Sequence, residues 1–383
     1  MRIGLDGFPL AAPKTGVGHY TFELARALAI LSPGDHFELI SPSGFSEAIA
    51  AEVESLRNLS LVQVRTNMIT RRWWGIGLPG YIRRAGLDLF HGTNYEVPLL
   101  NRKRTVVTVH DLSVFLHADK HETRIARRAR RRLPVMLRSA GMVITATQAI
   151  KQEIVARFKT NANRIAVTPY APRQIFQPMP PDDCARVRQR LGVDEDFILY
   201  VGTIEPRKNL STLVRAFEQI LRQTSLRPQL VIAGGKGWMM DEFHELIARA
   251  DLGDRLHFTG YVDDEDLVAL YSSCRVFVYP SVYEGFGLPP MEAMACGAPV
   301  IAGDIPVLRE TFADSAVLVE PLDPHSLAKA IVSVLGDETE QARLSALSQR
   351  RAEQFSWSET ARLTLEVYKQ VLAKSSRQKT SSV

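Results

Sequence analysis

The sequence predicts an α/β protein made of two doubly wound, mostly parallel sheets, and three observations carry that expectation. Short β-branched and aliphatic runs alternate with helix-period segments along nearly the whole chain. Runs such as FILYV (197–201) and RVFVY (275–279) are apolar without alternation, as strands covered on both faces require. At 383 residues the chain is too long for one ordinary core, so two domains of roughly 180 residues each are expected.

Taken in order, the first half carries strands at residues 2–6, 37–41, 61–64, 87–91, 105–109, 142–145 and 165–168. The second carries them at 197–201, 230–233, 256–258, 276–279, 299–301 and 316–319. The helical segments between them supply the crossovers that parallel strands need. Residues 171–183, APRQIFQPMPPDD, hold four prolines and cannot continue a helix or a central strand. The expected division is therefore an N-terminal domain over 1–172 and a C-terminal domain over 173–356. The pattern WSETARLTLEVYKQVLA predicts a helix over 357–374, capped by Ser356 or Ser358 and packed back on the first domain. The polar tail KSSRQKTSSV is expected to be unordered.

Composition is that of a globular protein, 45% hydrophobic and 23% charged. No run approaches the ~18 apolar residues that cross a bilayer. The opening MRIGLDGFPL reads as a buried strand, too short in its apolar stretch for a secretion signal. Cys184, Cys274 and Cys296 form no CxxC pair, which suits a reducing compartment. A cytoplasmic protein, peripheral at the inner face of the membrane, is the expectation. The net charge of +5 is unevenly placed: residues 124–138 contain Arg124, Arg127, Arg128, Arg130, Arg131, Arg132 and Arg138, and Arg71, Arg72, Trp73 and Trp74 form a second patch. A solvated helix face explains the first segment plainly. Docking on an anionic lipid surface, with Trp73 and Trp74 at the interface, is the functional reading. Nucleic acid is disfavoured as a partner because no binding module accompanies the charge.

Two segments carry chemistry. After FILYV comes GTIEPRKN, then an amphipathic helix with Leu210, Leu213, Val214, Phe217, Ile220 and Leu221 on its apolar side and Asn209 as N-cap. Arg207 and Lys208 thus precede a helix N-terminus, where each cation is disfavoured by about 0.3–1 kcal/mol. A bound anion removes the conflict; a solvated basic turn is the alternative. The second segment runs from Pro280, PSVYEGFGLPPMEAMACGAPVIAGD, and enters a helix near Pro290. Glu284 lies in its turn, outside any core, and Gly285 and Gly287 let the backbone approach a ligand. Glu292, read in the first helical turn, has the plain explanation of complementing the helix dipole.

GTIEPRKN followed by EGFGLPPME resembles the signature of glycosyltransferase family 4, with Glu284 and Glu292 matching its E-x7-E motif. TGVGHY (15–20), VHD (109–111), FTGYVDDEDL (258–267) and FSWSETA (355–361) extend the resemblance over nearly the whole chain. The resemblance implies the GT-B fold, two Rossmann-like domains facing a central cleft, and retaining transfer from a nucleotide diphosphate-sugar. Residue by residue, Arg207 and Lys208 match the pair that binds the donor diphosphate, and Glu292 the acid on the ribose hydroxyls. Glu284 matches the acid near the transferred sugar, with the backbone of Gly285, Phe286 and Gly287 meeting sugar and phosphate. Val262 matches the position whose backbone holds the base, Gly16 the glycine loop closing over the diphosphate from the opposite domain, and His110 a histidine contacting the donor sugar.

Thr168, Pro169, Tyr170 and Ala171 stand where many members carry Asn-Gly, and TGVGHY lacks a second glycine adjacent to Gly16; both departures bear on sugar or acceptor choice. AGGKGW (233–238) resembles a feature of the family's GDP-mannose users. The implied function is mannose transfer from GDP-mannose to a saccharide or polyprenyl-linked saccharide in bacterial surface polysaccharide assembly. A UDP- or dTDP-sugar donor and a catalytically silent nucleotide-sugar binder are the alternatives. No cofactor and no metal are expected: Asp264 and Asp266 form a DxD, but their place before LVALYSSC reads as helix capping. An oxidoreductase fits poorly, since TGVGHY is not GxGxxG and the next strand, FELIS, ends in Ser rather than a ribose-binding acid.

Overall fold

The computed structural model describes residues 1–12, 14, 16–98, 104–116, 123–235, 241–250 and 252–380. It divides into two compact units: unit 1, Met1–Tyr170 with Ser356–Val383, and unit 2, Ala171–Phe355.

Unit 1 is built on seven strands, β1 (Arg2–Asp6), β2 (His36–Ser41), β3 (Leu59–Gln63), β4 (Leu89–Gly92), β5 (Thr105–Thr108), β6 (Met142–Thr145) and β7 (Ile165–Val167). They lie in the order β3-β2-β1-β4-β5-β6-β7, all parallel. The chain winds outward from β1 to β3, then crosses to β4 and winds the other way. The winding therefore reverses between β1 and β4, the topological switch point of an open α/β sheet. Ile3, Leu5, Leu39, Val106, Val107 and Val143 are wholly buried, as continuous apolar strands require.

The helix Trp357–Thr380 packs on the helix Gly16–Leu31 and over β5 and β6. Ser356 Oγ accepts from Glu359 N at 3.1 Å and caps it, and Tyr368 OH meets His91 Nδ1 at 2.7 Å in the core. This helix runs on to Thr380, into the tail read from sequence as unordered. Lys, Arg and Gln are good helix formers, and Ser375 Oγ donates back to Val371 O at 3.0 Å. The patch at Trp73 and Trp74 also differs from expectation. Trp73 is buried with Ile40, Leu78, Ile82, Leu87 and Phe90, and Trp74 packs against that cluster; the large aromatic area is worth most inside. The exposed apolar side chains here are Met68, Ile69 and Ile76, at 80%, 67% and 41%.

Unit 2 holds β8 (Phe197–Val201), β9 (Gln229–Ala233), β10 (Leu256–Gly260), β11 (Val276–Tyr279), β12 (Val300–Gly303) and β13 (Val317–Val319). Their order is β10-β9-β8-β11-β12-β13, again all parallel, and the winding reverses between β8 and β11. Phe197 through Tyr200 and Val276 through Tyr279 are fully buried. Each strand read from sequence is present in the two sheets, with ends displaced by a residue or two. The three cysteines are buried and free. Among the described residues no helix is long and apolar enough to cross a membrane.

Candidate active site

The switch point of unit 2 gathers the charged residues. β8 leads through Glu205 into a short 3-10 turn, Pro206–Lys208, and β11 leads into the turn containing Glu284. Lys208 Nζ donates to Glu284 Oε1 at 2.7 Å and, in a short contact, to Tyr279 OH. Arg207 Nη1 donates to Glu284 Oε2 and to Tyr283 O, both at 3.0 Å, while Nη2 donates to Glu205 Oε1 at 2.6 Å. Lys208 and Glu284 are 8% and 6% exposed, so both belong to the interior. This corrects the expectation that Glu284 lies outside any core: the glycine-rich turn folds over the two cations, which compensate its charge. Burial would raise the Glu284 pKa, but the charges of Lys208 and Arg207 and the Lys208 hydrogen bond pull it down to about 2. Burial lowers that of Lys208, with Glu284 opposing. An ammonium has three N–H donors, and two have partners among the described residues. The third is the group a ligand anion can take.

Asn209 does not cap the helix Leu210–Gln223, contrary to expectation. It adopts a left-handed conformation (φ 57°), and its Nδ2 donates to Pro280 O and Pro321 O, tying the loops after β11 and β13 to the end of β8. The helix Leu288–Ala295 opens two residues before the expected Pro290, from Gly287 at φ 96°. A Cβ on Gly287 would stand 2.9 Å from Leu308 Cδ2 as well as straining that conformation. Glu292 consequently lies beyond the first turn, which removes the plain dipole explanation. Its Oε1 accepts from Arg173 Nε at 3.2 Å, and Arg173 Nη1 donates to Asp264 Oδ2 at 2.6 Å. Asp264 is thus half of an ion pair, and Asp263 Oδ1 caps the helix Asp264–Ser273 through Asp266 N at 2.9 Å. Among the described residues no group of three acidic, Cys or His side chains has metal-holding geometry.

The structure therefore joins Arg207, Lys208 and Glu284 in one hydrogen-bonded cluster, and sets Glu292 in a second one with Arg173. Val262 is half-buried in the link between β10 and the helix Asp264–Ser273. Phe286 is 4% exposed and packs edge-on against Phe355, so only its backbone and those of Gly285 and Gly287 can serve a ligand there. Of AGGKGW, residues 236–238 lie outside the described residues.

His110 and Gly16 belong to unit 1. His110 is buried; Nε2 meets Thr93 O at 2.8 Å and Nδ1 meets Tyr170 OH at 2.7 Å. A carbonyl can only accept, so Nε2 carries the proton and Nδ1 accepts from the tyrosine. Burial holds the imidazole pKa down at about 4, against the Thr93 hydrogen bond and Asp111, and the ring is neutral at pH 7. Tyr170, from the segment that departs from the Asn-Gly pattern, is thus what orients His110, and Trp357 stacks on it at 6.3 Å. Gly16 opens the helix Gly16–Leu31, and a Cβ there would meet nothing within 4 Å.

In the basic helix Thr123–Ser139, Leu133, Met136 and Leu137 are buried while Arg127, Arg128, Arg130, Arg131 and Arg138 are exposed. The side chain of Arg124 lies outside the described ones. Glu96 pairs with Arg132 at 2.7 Å and with Arg128 at 3.6 Å. Sequence reasoning missed Glu205, Tyr279 and Arg173, and it singled out Tyr170 only as part of the departure from Asn-Gly. Glu205, two residues before Arg207, was the one with a local signal, an acid beside an unexplained cation pair.

Comparison with known proteins places both halves. The family model "Glycosyl transferases group 1" matches residues 184–351, and "Glycosyltransferase Family 4" matches 14–171. The O-antigen chain mannosyltransferase B of Escherichia coli is 31% identical over 96% of this chain and 100% of its own length. The O-antigen chain mannosyltransferase RfbU of Salmonella typhimurium is 25% identical over 84% of this chain and 88% of its own. Among solved structures, sucrose-phosphate synthase from Thermosynechococcus elongatus superposes with a TM-score of 0.76 at 26% identity, covering 98% of this chain and 100% of that one. Anabaena HepE in complex with UDP and glucose does so at 0.73 and 20% identity, covering 96% and 99%.

Proposed function

The chain belongs to the family 4 (group 1) glycosyltransferases and has the GT-B fold, and from that premise we propose that it is a retaining mannosyltransferase using GDP-mannose to extend a surface saccharide. The observation that carries transfer is the buried cluster of Lys208, Arg207 and Glu284 at the unit 2 switch point. The choice of mannose follows the Escherichia coli and Salmonella relatives, both described as O-antigen mannosyltransferases. HepE, crystallised with UDP, makes a uridine nucleotide the donor to test against.

In this reading unit 2 binds the donor and unit 1 the acceptor. The diphosphate takes the remaining Lys208 N–H and the Arg207 face, Glu292 accepts from the ribose hydroxyls, and the Val262 backbone meets the base. Glu284 keeps both cations placed while it faces the transferred sugar with the backbone of Gly285–287. Fixed donors aimed at the leaving diphosphate stabilise the charge that develops as the sugar–phosphate bond breaks. His110 enters this reading as a neutral ring. With both nitrogens engaged and a low pKa it does not act as the base, so the acceptor proton passes to a leaving phosphate oxygen while the acceptor oxygen bonds the same face of the sugar. The exposed arginines of Thr123–Ser139 hold the enzyme at an anionic membrane surface where a polyprenyl-linked acceptor resides.

The test is incubation of purified protein with radiolabelled GDP-mannose or UDP-sugars and a panel of mannosides, with the anomeric configuration of the product read by NMR. Transfer from GDP-mannose with an α-linkage supports the reading. Transfer solely from UDP-sugars overturns the donor, an inverted product overturns retention, and nucleotide binding without any transfer or hydrolysis leaves a silent binder.

A further inference from the structure

In an open α/β sheet the carboxyl ends of the strands at a winding reversal form a ligand crevice. Unit 2 fills that position with two cations and their carboxylate. Unit 1 has the same reversal between β1 and β4, and the residue that closes β1 there is Asp6. Asp6 is 2% exposed. Among the described residues no cation pairs with it, and one hydrogen bond reaches its carboxylate, from Phe8 N to Oδ1 at 3.1 Å. The neighbouring strand end is fastened to it through neutral groups: Thr93 Oγ1 donates to the Asp6 backbone O at 3.0 Å, and Thr21 Oγ1 donates to Thr93 Oγ1 at 2.9 Å.

The local turn does not account for a carboxylate. An Asx-turn to the residue two positions on is made as well by asparagine, which buries no charge. A buried carboxylate lacking a countercharge is costly and is kept where a ligand completes it. Desolvation pushes the Asp6 pKa up to about 7, the Phe8 N–H opposes this, and Glu96 adds to it. That environment repels an anionic ligand, and among the described residues only the Phe8 N–H reaches the carboxylate, which leaves room for the further donor that a sugar hydroxyl supplies without bringing charge.

We propose that Asp6 is an acceptor-binding residue whose carboxylate accepts a hydrogen bond from a hydroxyl of a neutral saccharide at the β1–β4 crevice of unit 1. This rests on the glycosyltransferase reading above. The experiment compares wild type with Asp6→Asn, which retains an oxygen for Phe8 N. It reads transfer from GDP-mannose to p-nitrophenyl α-D-mannoside and to its monodeoxy analogues, and GDP affinity by calorimetry. The expected result is a fall of about ten- to a hundredfold in kcat/KM for the mannoside, carried mainly by KM. GDP affinity should stay within about twofold, as for a site remote from the change. One monodeoxy mannoside should be poor for wild type yet no worse than its parent for Asp6→Asn. Mannoside kinetics unchanged in the variant, or GDP affinity falling in step with them, would overturn the proposal alone. Wild type that transfers to no mannoside defeats the underlying reading and the proposal together.

Discussion

The two units share a topology and differ in what they place at its reversal. At the β8–β11 end, Glu284 is buried with Lys208 and Arg207 and is held ionised. At the β1–β4 end, Asp6 is buried with a single amide donor among the described residues, and the nearby His110 is held neutral. Burial alone destabilises either carboxylate; the presence or absence of a cation decides the sign of the outcome. In the proposed reading, the same crevice serves an anion in one unit, with cations fixed by their own counterions, and a neutral hydroxyl-bearing ligand in the other.

The largest effect that can break this comparison is on turnover. Lys208→Ala should lower transfer by about a thousandfold, as expected when a fixed donor to a developing charge is lost. Because Lys208 is buried beside Glu284 rather than outside the core, the same change should cost roughly 3 kcal/mol of stability. Radiolabel transfer and urea unfolding check the two halves. A Lys208→Ala enzyme with near-normal turnover would end the anion-site assignment.

Titration of the two carboxylates is the next largest test, and it should run in opposite directions. Glu284 has its folded pKa depressed from 4.5 to about 2, so its contribution is present above pH 4.5 and lost as pH falls toward 2, about 3 kcal/mol in full. Asp6 has its folded pKa raised from 3.8 to about 7. Its contribution is present below pH 3.8 and lost as pH rises through 7, about 4 kcal/mol in full. Melting curves should therefore show Asp6→Asn more stable than wild type at pH 8, with the gap narrowing below pH 7 and closing only near pH 3.8. Glu284→Gln should be less stable at pH 7, with the gap closing below pH 3. Parallel pH profiles for the two variants would contradict the contrast.

A smaller effect is expected at Arg173, which fastens Glu292 through Nε while holding Asp264 through Nη1. Arg173→Ala should raise the donor KM about tenfold with little change in kcat, as loss of one charge-assisted hydrogen bond to a positioned acid predicts. Steady-state kinetics against GDP-mannose reads this, and a fall in kcat alone would argue against it. The smallest is at the membrane: Arg127→Ala with Arg131→Ala should weaken co-sedimentation with anionic vesicles by about 1 kcal/mol per arginine. Unchanged, salt-independent binding would remove the basic helix from the account.

The strands were legible because parallel strands buried on both faces read as continuous apolar runs, with little else competing for FILYV or VFVY. Helix starts were less so. At Leu288-Pro289-Pro290 two prolines are each acceptable near a first turn, and it is the left-handed Gly287 that settles the opening. Asn209 looks like a cap from its neighbours, yet its amide is taken by carbonyls of Pro280 and Pro321, far along the chain. The burial of Glu284 was invisible for the same reason, since it depends on Tyr279 and Lys208 closing around a turn whose composition suggests exposure. Asp6 carried no local signal at all. Its meaning lies in β4 adjoining β1, a neighbour relation that comes from sheet order rather than chain order.

The account depends most on the diphosphate lying at the end of β8. A crystal structure of the GDP complex tests this directly. The expected result places diphosphate oxygens within hydrogen-bond distance of Lys208 Nζ and the Arg207 guanidinium, with Glu292 on the ribose. A nucleotide bound elsewhere, with the Lys208–Glu284 and Arg207–Glu284 contacts untouched, would contradict it.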